Sequence, residues 1–538
     1  MSDIIHKTQK VPSKSSLIFQ RETKYLTDEE LMLYARKNEN DALLEELKGC
    51  EKYLAEEIVA VMIMHHLMTT YTMSIPKFNP KIVTKIIFEF LPHNSPIFFY
   101  DHVFIYDMVI SKVLFYIKSL ITACDCDLTL VFKTYYQFCD IYLINALKQI
   151  KTNKKIKLEF DFKPNIGITH FSWPQFNVFN GFRNLEVVTI ISNFKEGNEF
   201  CQYLVSCIPN DKNFKLNFVF NGYLNEEEWV GVKNIINRIK NKNIQLGINC
   251  WGEDGAFLTY IPETFDENIL NKIYRLDVNG DSFDVLKMLR SVLGKMKNLK
   301  ILICNFHVVE HILKLIRKDK FYKIDALSHS NALRRLQNLR TVSCSFKYVY
   351  GLKEEQYVHL DIINFAFNNF IELLPNTIEN FHIHGLKNLD LKLITKIRIF
   401  FPELVFISLS RILNVDRGCL ESLPKLKYIV LHDCDPIIVP QKITACGCVY
   451  CPHNDFTDHE NRSDIYWKCK ECKKKYFLWR NEIMGRKKFR NQVLHTTSYG
   501  INIFFNDKQD AKKILDIYDE DFHSDLYQGV FYRRIFEY

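Results

Sequence analysis

Asn298-Leu299-Lys300-Ile301-Leu302-Ile303-Cys304 is the stretch on which the reading of this chain turns. Leu302 and Cys304 form an apolar pair two residues apart, and Leu299 precedes the pair by three. Side chains two apart on an extended chain share a face, so the stretch predicts a short strand with one buried side. The same pattern stands in Asn184-Leu185-Glu186-Val187-Val188-Thr189-Ile190 and in Lys425-Leu426-Lys427-Tyr428-Ile429-Val430-Leu431. Sliding the chain against itself yields ten such pairs: Leu158/Phe160, Val188/Ile190, Leu216/Phe218, Leu246/Ile248, Leu276/Val278, Leu302/Cys304, Val342/Cys344, Phe381/Ile383, Ile407/Leu409 and Ile429/Leu431. Their first members are 30, 28, 30, 30, 26, 40, 39, 26 and 22 residues apart, and the two long intervals imply insertions after the sixth and seventh strands.

Between the pairs, apolar residues recur at three and four, the helical period, over 226–240, 283–293, 308–317, 358–374 and 389–400. A strand and a helix repeated at this interval form a unit that cannot bury its apolar face alone. Stacking such units buries a continuous core. The fold expected is therefore α/β, a solenoid of strand–helix repeats over 151–440. The alternative is an ordinary α/β domain, in which the spacing would be less regular.

These units resemble leucine-rich repeats, with Ile or Phe often in place of Leu and the family's Asn or Cys after the strand mostly absent. Ahead of them, 26–150 reads as helical, with helices expected at 51–66, 80–91, 102–122 and 128–150 and a flexible tail over 1–25. Thr27 with Glu30 is a candidate capping box. Within this region an F-box-like segment is expected over 79–125. It opens on Asn79-Pro80-Lys81-Ile82-Val83-Thr84-Lys85-Ile86-Ile87-Phe88-Glu89-Phe90-Leu91-Pro92. That opening resembles an F-box, with Asn79 and Ile82 departing from the family's Leu and Glu. The resemblance implies that Pro80, Val83, Ile87, Phe88, Phe90 and Leu91 lie on a helix whose apolar ridge docks a Skp1-type adaptor. The other reading is a Pro-initiated helix packed in its own domain. Together the two resemblances point to the budding-yeast type of F-box/leucine-rich-repeat protein, a substrate receptor of a ubiquitin ligase. A composition heavy in Lys, Asn, Ile and Phe fits an AT-rich fungal genome.

Of 16 cysteines, five fall between Cys446 and Cys472. Cys448-x2-Cys451 and Cys469-x2-Cys472 are separated by 17 residues, the spacing of a four-thiolate zinc site. We expect these four to hold one structural Zn2+ in a module over 441–490, followed by a C-terminal cap over 491–538. Cys446, His453 and His459 are spare ligands, and reduced, unliganded cysteine is the alternative. Lys468, Lys470, Lys473, Lys474 and Lys475 surround the second pair, with Trp467, Tyr476 and Phe477 interleaved. That allows a second class of function, a nucleic-acid- or chromatin-associated scaffold. A third is a repeat interaction protein without a degradation role.

The remaining observations narrow the class. Hydrophobic residues make up 47% and charged residues 25%, the balance of a folded chain. A net charge of +8 over 538 residues is too small to argue for nucleic acid by itself. No signal-peptide core follows Met1, and Asp101, Asp107, Lys112 and Lys118 interrupt the most apolar stretch. A cytoplasmic or nuclear, reducing location is expected. No Gly-rich phosphate loop, Ser elbow or His-Glu-x-x-His motif is found, so a non-catalytic scaffold is expected. His382 and His384 flank Ile383, and alternation puts both on the face opposite the core, as candidate contacts for a partner.

Overall fold

The computed structural model describes residues 18–20, 57–63, 83–91, 103–134, 137–162, 178–192, 201–208, 213–220, 226–250, 265–280, 290–306, 332–346, most of 364–449, 493–496, 501–507 and parts of 509–517. It is α/β, with mostly parallel strands and few helices among the described residues. The chain divides into two compact units, Met1–Lys24 with Leu54–Leu246 and Tyr25–Tyr53 with Gly247–Tyr538.

The first unit begins with β1 (Ile18–Gln20), antiparallel to β2 (Glu57–Ile63). Then follow β3 (Lys85–Leu91), α1 (Val103–Ala123), β4 (Leu128–Thr134), α2 (Gln137–Lys148), β5 (Thr152–Phe162), β6 (Phe182–Ser192), β7 (Phe214–Phe220) and α3 (Glu226–Ile239). β8 (Ile244–Cys250) neighbours β7, and the division between the units falls within it. From β2 to β7 the pairing is parallel, and Ile58, Ile86, Leu130, Leu158, Val188 and Leu216 stand side by side in register. Two residues on, Phe88, Phe132 and Phe160 stack, with ring centroids 5.2 and 5.6 Å apart and interplanar angles of 10° and 20°. From β3 to β7 the core lies along these two rows.

This corrects the reading of 26–150 as helical. α1 and α2 are there, but 57–63, 85–91 and 128–134 are strands of the same sheet. The repeat therefore starts upstream of Leu158, and Ile58 to Ile86 and Leu130 to Leu158 both span 28 residues. β3, with Ile86, Ile87, Phe88 and Phe90 all buried, is covered on both faces and reads as a near-continuous apolar run, which obscured its period of two. Residues 1–17 and the candidate cap at Thr27 lie outside the described residues.

The second unit carries α4 (Glu267–Lys272), β9 (Ile273–Gly280), α5 (Arg290–Leu293), β10 (Ile301–Phe306), β11 (Thr341–Phe346), β12 (Asn380–His384), β13 (Asn388–Leu389), α6 (Leu391–Phe400), β14 (Phe406–Ser410) and β15 (Asn414–Val415). A 3-10 turn at Cys419–Ser422, β16 (Tyr428–His432), β17 (Ala445–Val449), β18 (Val493–Thr496) and β19 (Ile501–Phe505) complete it. Leu276, Leu302, Val342, Phe381, Ile407, Ile429 and Cys446 stand in one parallel register row, so the 40- and 39-residue intervals leave the sheet unbroken. β19 then pairs antiparallel with β17, and β18 with β19. Among the described residues the connectors vary: α3 and α6 match the predicted helices, whereas β14 and β16 are joined through β15 and the 3-10 turn, and the helix expected at 308–317 lies outside the described residues.

One position ties repeat to repeat. Four residues before their pairs, Asn184 donates its amide N–H to the Asn153 carbonyl (2.5 Å), Asn298 to that of Asn271 (2.7 Å) and Asn338 to that of Lys297 (2.8 Å). Thr377 donates its hydroxyl to the Leu339 carbonyl at 2.7 Å, and Lys425 pairs with Glu403 at 2.6 Å. Where a helix or turn ends nearby, the position holds lysine. Lys154 donates to the carbonyls of Ile121 (2.7 Å) and Cys124, Lys242 to Ile208 (2.5 Å), and Lys442 to Glu421 (3.0 Å) and Leu423. A cation there meets the partial negative charge of carbonyls that have no partner within the helix. Gly181 serves a different need: a Cβ on it would lie 1.7 Å from the Ile150 carbonyl oxygen. Gly385, at φ 78°, turns the chain out of β12.

Candidate functional site: the polar face of the sheet

Residues that alternate with the core pairs point to the other face of the sheet, and in the second unit they are mostly polar. Arg275 and Asp277 of β9 sit on this face two residues apart. Arg275 donates Nε to Asp277 Oδ1 and Nη2 to Oδ2, both at 2.9 Å, with the two side chains 3% and 4% exposed. A charged pair this shielded persists because the two-pronged geometry meets both groups' hydrogen-bonding needs. In the next row β10, β11, β12 and β14 bring Ile303, Ser343, His382 and Ser408 into line, continuing from Asp277. Ser345 and His384 are hydrogen-bonded across β11 and β12, Oγ to Nδ1 at 3.0 Å. Asn380 donates to Thr341 Oγ1 at 3.1 Å, and the His382 ring lies 5.0 Å from that of Phe406. The first unit has a shorter counterpart, in which Asn217 donates to Thr189 Oγ1 at 3.4 Å.

The histidines lie on the expected face, but His382 and His384 are buried, at 3% and 5% exposed, and are not open contact residues. Ser343, Ser345 and Ser408 are buried with them. The cross-strand bonds, Ser345 to His384, Asn380 to Thr341 and Asn217 to Thr189, can fix the register of adjacent repeats, whereas the Arg275–Asp277 pair closes within β9 itself. Sequence reasoning named the histidines and missed Arg275, Asp277, Ser343, Ser345 and Ser408. The signal was present, since each lies beside a core-pair member on its strand.

Thiols in the core behave as apolar groups. Burial pushes the Cys419 thiol up to about 12 and that of Cys124 up to about 11, the latter against the opposing charge of Lys154. Cys304 and Cys344, opposite each other on β10 and β11, are also raised, by burial first and then by Asp277 and Cys304 respectively. These thiols stay protonated at neutral pH and are poor nucleophiles or ligands.

The predicted site residues fare as follows. Lys85–Leu91 is a strand between β2 and β4, not a helix, and Val83, Ile87, Phe88 and Phe90 are buried. The apolar ridge expected for adaptor docking is therefore part of the core. Ile86 and Phe88 are in fact a repeat pair, in register with Leu130 and Phe132. Leu91 ends β3, and Pro80 lies outside the described residues. Of the four zinc candidates, Cys448 is on β17 at the register position of Leu431. Cys451, Cys469 and Cys472 lie outside the described residues, as do His453 and His459, and Cys446 is fully buried.

A family model described as Domain of unknown function (DUF8346) matches residues 107–518. The chain belongs to this family. The DUF8346 match starts within α1 and takes in every strand from β4 to β19, so the family unit contains the second unit's whole parallel ladder and most of the first's. No curated protein matches the chain.

Proposed function

We propose that this DUF8346 protein is a non-catalytic protein-binding scaffold built as a leucine-rich-repeat-like solenoid. The observation that supports it is the long in-register parallel ladder, tied at one recurrent position by Asn, Thr and Lys side chains to the preceding repeat. Such ladders add surface in proportion to repeat number and present it on a rigid frame, the property extended binding proteins use. The binding surface in this reading is the outer loops and turns of the repeats, because the polar face of the sheet is shielded. A role as ubiquitin-ligase substrate receptor would need an adaptor to dock elsewhere than on Val83, Ile87, Phe88 and Phe90.

Cross-linking mass spectrometry on the full-length protein purified from its native cells tests the proposal. The expected result is a stoichiometric protein partner cross-linked to lysines of the repeat loops. A chain that is partnerless across growth conditions, or that turns over a small molecule in an unbiased activity screen, would overturn it. Recovery of a Skp1-type adaptor with a cullin would assign the degradation role.

A further inference from the structure

We propose that the loops 294–300 and 334–340 form one basic docking surface for an acidic protein segment, a reading that rests on the scaffold proposal and gives it a place and a partner chemistry. The two loops are the same structure twice. Val292, Leu293, Met296 and Leu299 are buried in one, and Ala332, Leu333, Leu336 and Leu339 in the other. The residues flanking these anchors are exposed, with Arg340 partly so, and Lys295 matches Arg335, Lys297 matches Gln337 and Lys300 matches Arg340. The register of β10 on β11 sets the loops side by side, and Arg340 N–H donates to the Lys300 carbonyl at 2.9 Å.

The charges are unbalanced. Lys295, Lys297, Lys300 and Arg335 are exposed, and among the described residues none has an ion pair or a side-chain hydrogen bond. Two acids of the next repeat are already engaged, Glu379 with Arg340 at 3.1 Å and Glu372 with Lys396 at 2.6 Å. Arg334 is spent on the Glu372 carbonyl, at 2.8 and 2.6 Å. The four remaining cations therefore offer an unneutralised field on a frame that Asn298 and Asn338 hold to the repeats before them. Little ordering is needed on binding, which favours affinity.

Carboxylates fit this surface better than nucleic acid does. Three of the four free cations are lysines, compact point charges suited to single carboxylates rather than the two-pronged grip arginine gives phosphate. The loop amides are committed, with Asn298, Asn338 and Gln337 all donating to backbone carbonyls. No aromatic side chain stands in either loop to stack a base.

The test is fluorescence anisotropy of the full-length chain with a labelled oligo-glutamate peptide, and with a labelled DNA duplex beside it. Binding of the peptide is expected to weaken as salt rises. It should also fall by about tenfold or more in the variant Lys295→Glu, Lys297→Glu, Lys300→Glu, Arg335→Glu. The milder Lys297→Gln, Arg335→Gln variant should give an intermediate loss, which keeps the test readable if the fourfold change unfolds the chain. No peptide binding by the wild type, equal binding by the variants, or a duplex bound more tightly through the same residues would each overturn the proposal. A native partner retained undiminished by the fourfold variant would overturn this surface and leave the scaffold reading standing. Absence of any partner from the wild type would overturn the scaffold reading instead.

Discussion

Replacing Phe132 by alanine tests whether stability in this chain is local, as a repeat array requires. The Phe132 ring is fully buried on β4 and stacked on both sides, 5.2 Å from Phe88 and 5.6 Å from Phe160. Truncating a buried phenylalanine costs about 3–5 kcal/mol. Phe132→Leu keeps most of the apolar volume and forfeits mainly the two ring contacts, each worth roughly 0.5–1.5 kcal/mol, so it should cost about 1–3 kcal/mol. The assay is native-state hydrogen exchange read by mass spectrometry, peptide by peptide. If each repeat interacts chiefly with its neighbours, the amides of β3, β4 and β5 should lose roughly a hundredfold or more in protection in Phe132→Ala. Those of β14 and β16 should be unchanged. Equal loss of protection in β16 would mean one cooperative globule and would refute the array. Unchanged protection in β3 to β5 would refute the packing of the phenylalanine row.

Gly181→Ala should destabilise the chain by roughly 2–4 kcal/mol in urea titration, because the new methyl meets the Ile150 carbonyl and backbone must move. Gly294→Ala, with open space around it, should be neutral within about 0.5 kcal/mol, and equal costs at the two sites would sink the steric argument. Asn298→Ala and Asn338→Ala should each cost about 1 kcal/mol by losing a bond to the preceding repeat, and the absence of any melting shift would show those bonds to be worthless. The unfolded chain releases thiol protons near their ordinary pKa of 9.0, whereas burial keeps Cys124, Cys304, Cys344 and Cys419 protonated above it. Stability should therefore fall as pH rises past 9.0, by up to about 1.4 kcal/mol per pH unit per thiol. Lys112, Lys242 and Lys442, lowered by burial from 10.5, act in the opposite direction below that value. The alkaline slope of the melting temperature should be shallower in Cys304→Val, Cys344→Val, and an unchanged slope would remove the buried thiols as its cause. A structural zinc at Cys448, Cys451, Cys469 and Cys472 is proposed from ligand spacing, so metal analysis should find one per chain; no zinc, with melting unaltered by a strong chelator, would end that proposal.

Read alone, the sequence determined the strand rows. Each of the ten pairs from Leu158/Phe160 to Ile429/Leu431 lies on a strand, because a period of two at a regular interval has few other physical explanations. It also placed the helices at 226–240 and 389–400, where one apolar face alternates with solvent. It misjudged 57–63 and 85–91, where Ile, Val, Phe and Met follow one another. A short apolar run fits a helix as well as a strand, and only the neighbours it pairs with decide. Ile86 and Phe88 became a repeat pair because β2 and β4 supply hydrogen-bond partners on both sides. Tertiary structure alone revealed that the position four before most pairs ties repeats together, since Asn, Thr and Lys share no hydropathy signal and act through a carbonyl some 20 to 40 residues away. It alone showed that the polar face, with Arg275 on Asp277 and Ser345 on His384, is shielded from water. Alternation says which face a side chain takes, but what covers that face depends on contacts made by residues far away in the chain.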